Sequence, residues 1–509
     1  MSEIIMTNPA TGEKLGVKKC WTTKQILDAY KKAREKAESF KNTTIEQRIE
    51  EVRKIKRYIV ENMEEIAEKI SKDLGKIKSE ALLMEIFPVL DCISYYEKNA
   101  KKILKDKKVR NPISLIGKKS YVFYEPLGVI LVIAPWNYPF NLSFIPIISA
   151  IIAGNVVIYK PSELAAYTGM LIEEILEKSG FEKGVVTVVY GRGREIGDAL
   201  IEGKPDKIFL TGSTTTGRII MEKAAKYLIP VELELGGKDP MIVFEDVNLE
   251  RATNAAVWGS LLNSGQACVA IERIYVQENV YDDFVKLVVE KVKKLRQGWN
   301  GDYDIGSMTS PNQIKIVEDH IKDAVKKGAK ILVGGKRKGK SLFFPPTVLV
   351  NVNHKMKIMK EETFGPVICI MKFKDEKEAV KLANDTIYGL NASVWSDNID
   401  RAVRIARQIK CGGVAVNNAL TASANFALPF GGTKQSGIGR YHGPYGLHAF
   451  SNIKAVMIEK GKKETEINWY PFGREKYERF LTTFKSLFSE KTVDKIKGLP
   501  AMIKLMRNK

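Results

Sequence analysis

Cysteine and histidine are scarce in this chain of 509 residues. The five cysteines are far apart and form no Cys-x-x-Cys pair, and the four histidines do not stand at ligand spacing beside paired carboxylates. Disulfide frameworks and zinc sites need such residues in recognisable groups. We therefore expect no disulfide and no metal. The N-terminus also lacks an apolar segment behind a basic start, so we expect no secretory signal and a cytoplasmic location.

Charge is missing entirely from residues 126–159. A hydropathy scan of such a stretch would favour a membrane span. However, Pro135, Pro139, Pro146 and Gly154 interrupt it at intervals too short for one continuous helix. We interpret the stretch as a buried strand, a loop, a helix and a second strand of a soluble sheet.

Elsewhere, positive charge is in excess, with 81 Lys and Arg against 60 Asp and Glu, a net charge of +21. Such an excess could fit nucleic acid, an anionic membrane surface or an anionic ligand, or a solvated Lys/Glu-rich surface. The basic residues are spread along the chain and interleaved with acidic ones, without an aromatic stripe or an Arg-rich arm. We therefore expect no nucleic-acid partner.

Strand and helix patterns alternate from residue 127 onward. The apolar runs GVILVIAP, NVVIYKP, VVTVVYG and KIFLTG are separated by amphipathic helical segments, which predicts a parallel sheet covered on both faces. Ligands of such sheets bind at the carboxyl ends of the strands. No Gly-x-Gly-x-x-Gly fingerprint is present, although the Ser/Thr-rich turn from Gly212 to Gly217 opens a helix and can donate backbone N–H groups to phosphate.

Cys268 lies in the segment Trp258–Arg273, WGSLLNSGQACVAIER. An apolar helical pattern breaks there at Asn263, Ser264 and Gly265, which predicts a helix-to-turn junction that presents a thiol to a cleft. A lone cysteine is more often a small buried hydrophobe than a nucleophile. Other motifs along the chain favour the nucleophile.

Three motifs follow one another along the chain: IAPWNYPF at 133–140, LELGGKDP at 233–240 and GQAC at 265–268. Together they closely resemble the aldehyde dehydrogenase superfamily, and the YHG sequence after Arg440 is similar to the branch that includes the fatty (class 3) enzymes. The resemblance implies an α/β fold with two doubly wound parallel-sheet domains and a protruding β-arm for oligomerisation.

The same resemblance suggests how the chain is divided. Residues 1–107 and 127–237 would form the NAD(P)-binding domain, and residues 238–446 the catalytic domain. Residues 108–126 and 447–462 would form the arm, whose hairpin is expected to pair with a late strand of a partner subunit in a homodimer or homotetramer. Residues 463–509 read as a basic amphipathic helical tail, which more often packs on its own protein but could contact a membrane peripherally.

Catalytic roles also follow from the resemblance. Cys268 would attack the aldehyde as a thiolate, and the Asn137 amide with the Cys268 backbone N–H would stabilise the oxyanion. Glu234 would then act as the general base that hydrolyses the thioester. Members that transfer the acyl group to coenzyme A lack this base, so we expect hydrolysis. A CoA-acylating enzyme and a non-catalytic binding protein on the same scaffold are the alternatives.

Coenzyme and substrate residues are carried over from the family in the same way. The expected NAD(P) contacts are Ile133, Ala134, Pro135, Trp136, Lys160, Ser162, Glu163, Gly193, Gly212, Ser213, Leu235, Gly236, Glu362 and Phe364. A carboxylate at Glu163 would bind the ribose hydroxyls and repel a 2′-phosphate, which favours NAD over NADP. The expected aldehyde channel is lined by Tyr138, Asn141, Leu142, Leu262, Ala267 and Val269, together with Ala422 and Ala424. None of these is a cation, so we expect neutral aliphatic or aromatic aldehydes. A small polyol aldehyde such as glyceraldehyde is the alternative, because backbone groups can bind hydroxyls.

Overall fold

The computed structural model of the chain describes residues 2–112, 115, 117–337 and 339–493. Two compact units can be distinguished. Unit 1 comprises Met1–Lys105 and Phe123–Lys454, and unit 2 comprises Asp106–Val122 and Ala455–Lys509. The predicted α/β class with two doubly wound, mostly parallel sheets is confirmed, and both large sheets lie in unit 1.

The α-helices have the following bounds. They are α1 Thr23–Phe40, α2 Ile45–Glu61, α3 Met63–Leu74, α4 Lys78–Glu80, α5 Phe87–Ile103, α6 Asn141–Ile152, α7 Ala166–Lys178, α8 Gly193–Glu202, α9 Thr214–Ala225, α10 Leu249–Leu261, α11 Tyr281–Lys294, α12 Pro311–Lys326, α13 Glu376–Asn384, α14 Ile399–Ala406, α15 Thr421–Ala424, α16 Gly443–Ala449 and α17 Arg474–Leu487. A π-helix, Ala81–Ile86, precedes α5.

The strands have the following bounds. They are β1 Glu3–Thr7, β2 Lys14–Lys19, β3 Lys107–Val109, β4 Lys119–Pro126, β5 Val129–Ile133, β6 Val156–Lys160, β7 Val186–Val188, β8 Lys207–Thr211, β9 Val231–Glu234, β10 Asp239–Val243, β11 Ile271–Gln277, β12 Lys330–Val333, β13 Thr347–Val350, β14 Val367–Phe373, β15 Asn391–Trp395, β16 Gly413–Val416, β17 Gly437–Ile438 and β18 Ser451–Ile458.

The six-stranded sheet has the order β17-β9-β8-β5-β6-β7. Its strands are parallel except for β17, which pairs with β9 in the antiparallel sense. The uncharged stretch 126–159 supplies β5, α6 and β6 in the predicted sequence of elements, and α6 is buried along almost its whole length. A helix covered on all sides can be apolar all round, which explains why this stretch resembles a membrane span.

The seven-stranded sheet has the order β12-β13-β14-β11-β10-β15-β16. Only β12 runs antiparallel to its neighbour. β10 and β11 lie at the centre, and the connection between them carries α10 and Cys268. The carboxyl end of β9 leads directly into β10, so the chain passes from one sheet to the other through Leu235–Lys238.

The three-stranded sheet bears on one expectation. Strand β18 lies beside β4 within the same chain, in the order β18-β4-β3, whereas the late strand was expected to pair with the hairpin of a partner subunit. In unit 2, Lys118 pairs with Glu459 and with Glu466, the latter at 3.3 Å. The tail contains the helix α17, while residues 494–509 of the predicted tail lie outside the described residues. Within the described part of the chain, no helix is both long and apolar enough to cross a membrane.

Candidate active site

A cavity of about 720 Å³ lies at the carboxyl edge of the six-stranded sheet. β5 ends at Ile133, β6 at Lys160 and β8 at Thr211, and residues at or just after each of these ends line the cavity. Because parallel strands point the same way, their carboxyl ends meet at one edge, which is where the alternating pattern predicts a ligand.

Every residue expected to contact the coenzyme lines this one cavity, together with Asn137 and Cys268. The set is Ile133, Ala134, Pro135, Trp136, Lys160, Ser162, Glu163, Gly193, Gly212, Ser213, Leu235, Gly236, Glu362 and Phe364. Segments that are up to 231 positions apart in sequence, from Ile133 to Phe364, are thus brought together (364 − 133 = 231).

One part of the cavity is suited to a phosphate and a ribose. Ser213 caps α9, and its hydroxyl accepts a hydrogen bond from the backbone N–H of Thr216 at 3.1 Å, so the positive end of the helix dipole faces the cavity. The buried Lys160 ammonium lies 3.4 Å from Glu163 Oε2, and burial lowers the pKa of Lys160. Glu163 keeps its carboxylate partly exposed, where it can accept from a diol.

Gly236 and Gly237 allow the backbone that follows β9 to lie close to the Glu362 carboxyl group and to Cys268. A Cβ added at Gly236 would lie 2.5 Å from Glu362 Oε2, and a Cβ at Gly237 would lie 2.2 Å from the Cys268 carbonyl oxygen. Glu362 Oε1 also accepts a hydrogen bond from the Gly237 N–H at 3.0 Å. The Gly-Gly pair is therefore required by packing, because any side chain would displace the carboxylate or the cysteine.

Cys268 follows a sharp break in the chain, as predicted. After α10, Asn263, Ser264 and Gly265 have φ angles of 50°, 55° and 72°. Left-handed conformations are costly for residues other than glycine. Here Asn263 is held in place because its side-chain amide donates to the carbonyl oxygens of Asn137 (3.0 Å) and Gln266 (3.2 Å).

The electrostatic environment of Cys268 disfavours its ionised form. Burial raises the pKa of the Cys268 thiol above its usual range, and the charges of Glu362, Asp239 and Glu234 raise it further. The thiol is half-buried and lines the cavity. A resting thiol is therefore expected, which must lose its proton before it can attack.

Glu234 is a buried carboxyl group without a hydrogen-bond partner on either oxygen among the described residues. Burial raises its pKa well above the usual range, the charge of Glu232 raises it further, and Arg440 opposes this. A Cβ at Gly431 would lie 2.7 Å from Glu234 Oε1, so the glycine-rich loop packs against the carboxyl group. A raised pKa makes the ionised carboxylate a stronger base than an ordinary glutamate, which suits a general base that takes a proton from water.

Asn137 is buried beside Cys268 in the same cavity. Its Nδ2 donates one hydrogen bond to the Gln266 carbonyl oxygen at 3.0 Å. An amide nitrogen carries two hydrogens, so the second remains for a substrate oxygen. The amide therefore has a fixed orientation, and its second hydrogen has no acceptor among the described residues.

The residues expected to line the aldehyde channel are largely brought together. Four of them are buried in one apolar cluster, against which a fifth packs: Tyr138, Leu142, Leu262 and Ala267, with Val269. Asn141 donates from Nδ2 to the carbonyl oxygen of Met84, which packs against the same cluster. The other two, Ala422 and Ala424, lie on the short helix α15.

The structure also reveals residues that the sequence analysis missed. Arg194 and Lys223 line the cavity and add positive charge to it. Lys76 and Glu85 form a buried ion pair beside Asn137, and Lys238 pairs with Glu272 behind the loop that holds Glu362. The motif LELGGK contains Lys238, but Lys76 is one lysine among many in a helical region, and no pattern distinguishes it. Among the described residues, no group of three His, Cys, Asp or Glu side chains is placed to hold a metal ion.

The chain is similar to known aldehyde dehydrogenases over nearly its whole length. The profile described as "Aldehyde dehydrogenase family" matches residues 2–456. A protein named 4,4'-diapolycopene aldehyde oxidase, from Methylomonas sp, is 41% identical over 491 residues, which is 96% of this chain and 92% of that protein. The mitochondrial succinate-semialdehyde dehydrogenase of Arabidopsis thaliana is 36% identical over 459 residues, 89% of this chain and 86% of that protein.

A solved structure has the same fold. The betaine aldehyde dehydrogenase of Staphylococcus aureus in complex with NAD+ superposes with a TM-score of 0.86 at 34% identity. The match covers 92% of this chain and 93% of that one.

Proposed function

The chain belongs to the aldehyde dehydrogenase family and is an NAD(P)-dependent oxidoreductase that oxidises aldehydes, and we propose that it does so through a thioester on Cys268. The observation that carries this proposal is the single cavity that Cys268, Asn137 and all the expected coenzyme contacts line. NAD(P)+ bound there supplies the hydride acceptor. The cavity fits the group, since Gly212 and Ser213 open α9 at its wall and Glu163 can accept from a ribose.

In the first step the Cys268 thiol loses its proton to water, and the resulting thiolate attacks the aldehyde carbon. The carbonyl becomes tetrahedral, and the negative charge that develops on its oxygen is stabilised by the second N–H of the Asn137 side-chain amide and the backbone N–H of Cys268. Loss of one such donor typically lowers the rate by about two to three orders of magnitude. When the adduct collapses, its hydrogen leaves as hydride and the acyl group remains on sulfur as a thioester.

Hydrolysis completes the cycle. Glu234 removes a proton from a water molecule, the resulting hydroxide attacks the thioester carbonyl, and the C–S bond breaks to release the carboxylic acid and the Cys268 thiolate. Overall, aldehyde, water and NAD(P)+ give acid, NAD(P)H and a proton. The buried carboxyl group of Glu234 supports this role because neither of its oxygens has a hydrogen-bond partner within the part of the chain that the structure describes.

The test is NAD(P)H formation at 340 nm with hexanal and either coenzyme. We expect turnover for the wild type and for Cys411→Ala, a matched control at another half-buried cysteine. Cys268→Ala should be inactive, and Glu234→Gln should release one NAD(P)H per active site and then stall. If turnover appears only after coenzyme A is added, the enzyme is CoA-acylating and hydrolysis is wrong.

A homo-oligomer remains part of the proposal. β18 and β3 are the outer strands of the three-stranded sheet, so among the described residues each has a neighbouring strand on one side only. An outer strand is a ready site for pairing with another chain, which supports a homodimer or homotetramer. Light scattering coupled to size exclusion should give two or four times 57.1 kDa, and a monomer at micromolar concentration would contradict it. A cytoplasmic location also remains a prediction.

Unit 2 carries an exposed aromatic surface that supports a peripheral membrane contact. The exposed members are Trp469, Tyr470, Phe472, Tyr477, Phe484 and Phe488. Trp and Tyr prefer the membrane interface, and nearby Lys and Arg attract anionic lipids. By sequence, residues 474–509 hold ten Lys and Arg against four Asp and Glu.

Sedimentation with vesicles tests this contact. We expect the enzyme to pellet with phosphatidylglycerol-containing vesicles but not with pure phosphatidylcholine, and to be released by 0.5 M salt. Phe484→Ser/Phe488→Ser should remain in the supernatant with unchanged activity. If the double variant instead changes the oligomeric state and vesicles have no effect, a second copy of the chain covers this surface.

A further inference from the structure

Lys76 is a buried cation beside Asn137 that has no place in the reaction described above. Its side chain is 1% exposed. The ammonium donates to Glu85 Oε1 at 2.6 Å and to the backbone carbonyl oxygen of Asn137 at 2.8 Å, and it lies 4.3 Å from the centre of the Tyr138 ring. Burying a charge in this way is costly unless it is paired and hydrogen-bonded. Of the three contacts, one is the ion pair with Glu85, and the other two are with Asn137 and Tyr138 in the segment that carries the Asn137 amide.

Glu85, the partner of Lys76, contacts the other end of the segment that carries Asn137. It lies in the π-helix that precedes α5, and irregular helices of this kind are frequent at functional sites. Its Oε2 accepts from the backbone N–H groups of Phe140 (3.0 Å) and Asn141 (3.1 Å). The first residues of α6 have no side-chain cap of their own, so Glu85 supplies the acceptor that the helix N-terminus needs.

The Lys76–Glu85 pair therefore holds both ends of the turn 137–141. Lys76 fixes the carbonyl of Asn137 at one end, and Glu85 fixes the N–H groups of Phe140 and Asn141 at the other. The Asn137 carbonyl also accepts from Asn263 Nδ2, and the Asn137 amide donates to Gln266. Both the backbone and the side chain of Asn137 are thus fixed, and both connect to the loop that carries Cys268.

We propose that Lys76 and Glu85 are positioning residues that hold the Asn137 amide at the developing oxyanion. The proposal rests on the proposed role of Asn137 as oxyanion donor. Neither residue touches the aldehyde, and they act only through the backbone of the turn. A displacement of about 1 Å at a reacting centre can lower the rate about a hundredfold, so their removal should affect the chemical step and leave coenzyme binding intact.

Lys76→Met tests the proposal. We expect the single-turnover rate of NAD(P)H formation to fall about 30- to 100-fold, with the KM for the coenzyme within about twofold of the wild type. Lys76→Arg should recover part of the rate, since it keeps a cation that can donate. Lys76→Met leaves Glu85 buried without its partner and could fail to fold, whereas Lys76→Met/Glu85→Gln leaves no unpaired charge and serves in its place.

Arg48 offers a matched control. It is also a buried cation in unit 1, and it donates to the carbonyl oxygens of Ile152 (3.3 Å), Lys41 (3.2 Å) and Thr43 (2.7 Å), at the opposite end of α6 from Asn137. Arg48→Met should lower the Tm yet keep the single-turnover rate within about twofold of the wild type. Equal rate losses in both variants would show that the effect is only structural.

A double-mutant comparison with Asn137→Ala decides whether Lys76 acts through Asn137. In the Asn137→Ala background, adding Lys76→Met should lower the rate by no more than about threefold, because the donor it positions is already gone. A full additional loss would overturn the proposal, as would an unchanged rate in folded Lys76→Met. If Asn137→Ala alone keeps the wild-type rate, it is instead the role of Asn137 in the proposed function that fails.

Discussion

Lys238 and Glu272 form an ion pair in the interior of unit 1, with exposed side-chain fractions of 1% and 7%. Glu272 also accepts hydrogen bonds from the backbone N–H groups of Thr363 (2.9 Å) and Phe364 (3.0 Å). These two residues follow Glu362, so the pair fixes the loop that carries Glu362 and Phe364, two of the expected coenzyme contacts.

Glu272→Ala should therefore weaken coenzyme binding. It leaves two backbone N–H groups and one ammonium without their acceptor, which costs several kcal/mol, and the loop loses its fixed position. We expect the KM for NAD(P)+ to rise about tenfold and the Tm to fall, measured by steady-state kinetics and calorimetry. Glu272→Gln should lie closer to the wild type because its amide oxygen still accepts. An unchanged coenzyme KM in folded Glu272→Ala would contradict this account.

The raised pKa of Cys268 predicts slow alkylation that accelerates with pH. Only the thiolate reacts with iodoacetamide, so the inactivation rate should rise about tenfold per unit between pH 6 and 8, without a plateau. Burial raises the pKa of Glu362 to about 8, and this group opposes the thiolate only when it is ionised.

Glu362→Gln should consequently accelerate alkylation at pH 9 by about three- to tenfold and have little effect at pH 6.5. Mass spectrometry should place the label on Cys268, with Cys411→Ala as the control, since burial also raises the pKa of Cys411 to about 12. Equal acceleration at both pH values would show that Glu362 acts on the thiol by packing and not by charge.

Glu163 is predicted to set the choice of coenzyme. A carboxylate at this position accepts from ribose hydroxyls and repels a 2′-phosphate, so the wild type should prefer NAD+. Glu163→Gln should lower the ratio of kcat/KM for NAD+ to that for NADP+ at least about tenfold. Glu177→Gln, an exposed position on α7, serves as the control. A ratio that Glu163→Gln does not change would assign the preference to other residues of the cavity.

The aldehyde channel predicts a neutral substrate. Tyr138, Leu142, Leu262 and Ala267 form an apolar wall, and Lys76, whose ammonium lies over the Tyr138 ring, is already paired with Glu85. Hexanal and benzaldehyde should exceed succinate semialdehyde in kcat/KM by about tenfold or more, because a carboxylate would enter this wall without a partner. A preference for succinate semialdehyde would show that a cation outside this wall reaches the substrate.

The sequence was sufficient for those parts of the site that lie within short motifs. Trp136 and Asn137 follow the end of β5, and Ser213 follows the end of β8 and caps α9. In each case the strand and the polar residue after it lie within one short stretch of sequence, so the sequence alone predicts both. The meeting of these motifs in one cavity follows from the shared edge of a parallel sheet. The left-handed break at Asn263 was also visible, as a disrupted helical pattern.

Other features depend on contacts that no local pattern encodes. The pairing of Lys76 with Asn137 joins residues 61 positions apart, and a lysine in a charged helical segment is indistinguishable from a surface residue until the fold buries it. Strands β1 and β2 were missed because EIIMT and KLGVKK are short and half polar. The pairing of β18 with β4 of the same chain was not predicted, because a strand pattern does not specify its neighbour.

The left-handed turn before Cys268 makes the nucleophile sensitive to heat. Asn263 and Ser264 hold conformations that cost about 1 to 3 kcal/mol each. Asn263 is held by the carbonyl oxygens of Asn137 and Gln266, and Ser264 by that of Gly306, so both relax when these hydrogen bonds break. Local unfolding of this segment should therefore abolish catalytic activity at a lower temperature than global unfolding. On slow heating, we expect activity to disappear several degrees below the circular-dichroism transition and to return on cooling. Bound coenzyme should close that gap by raising the temperature of inactivation.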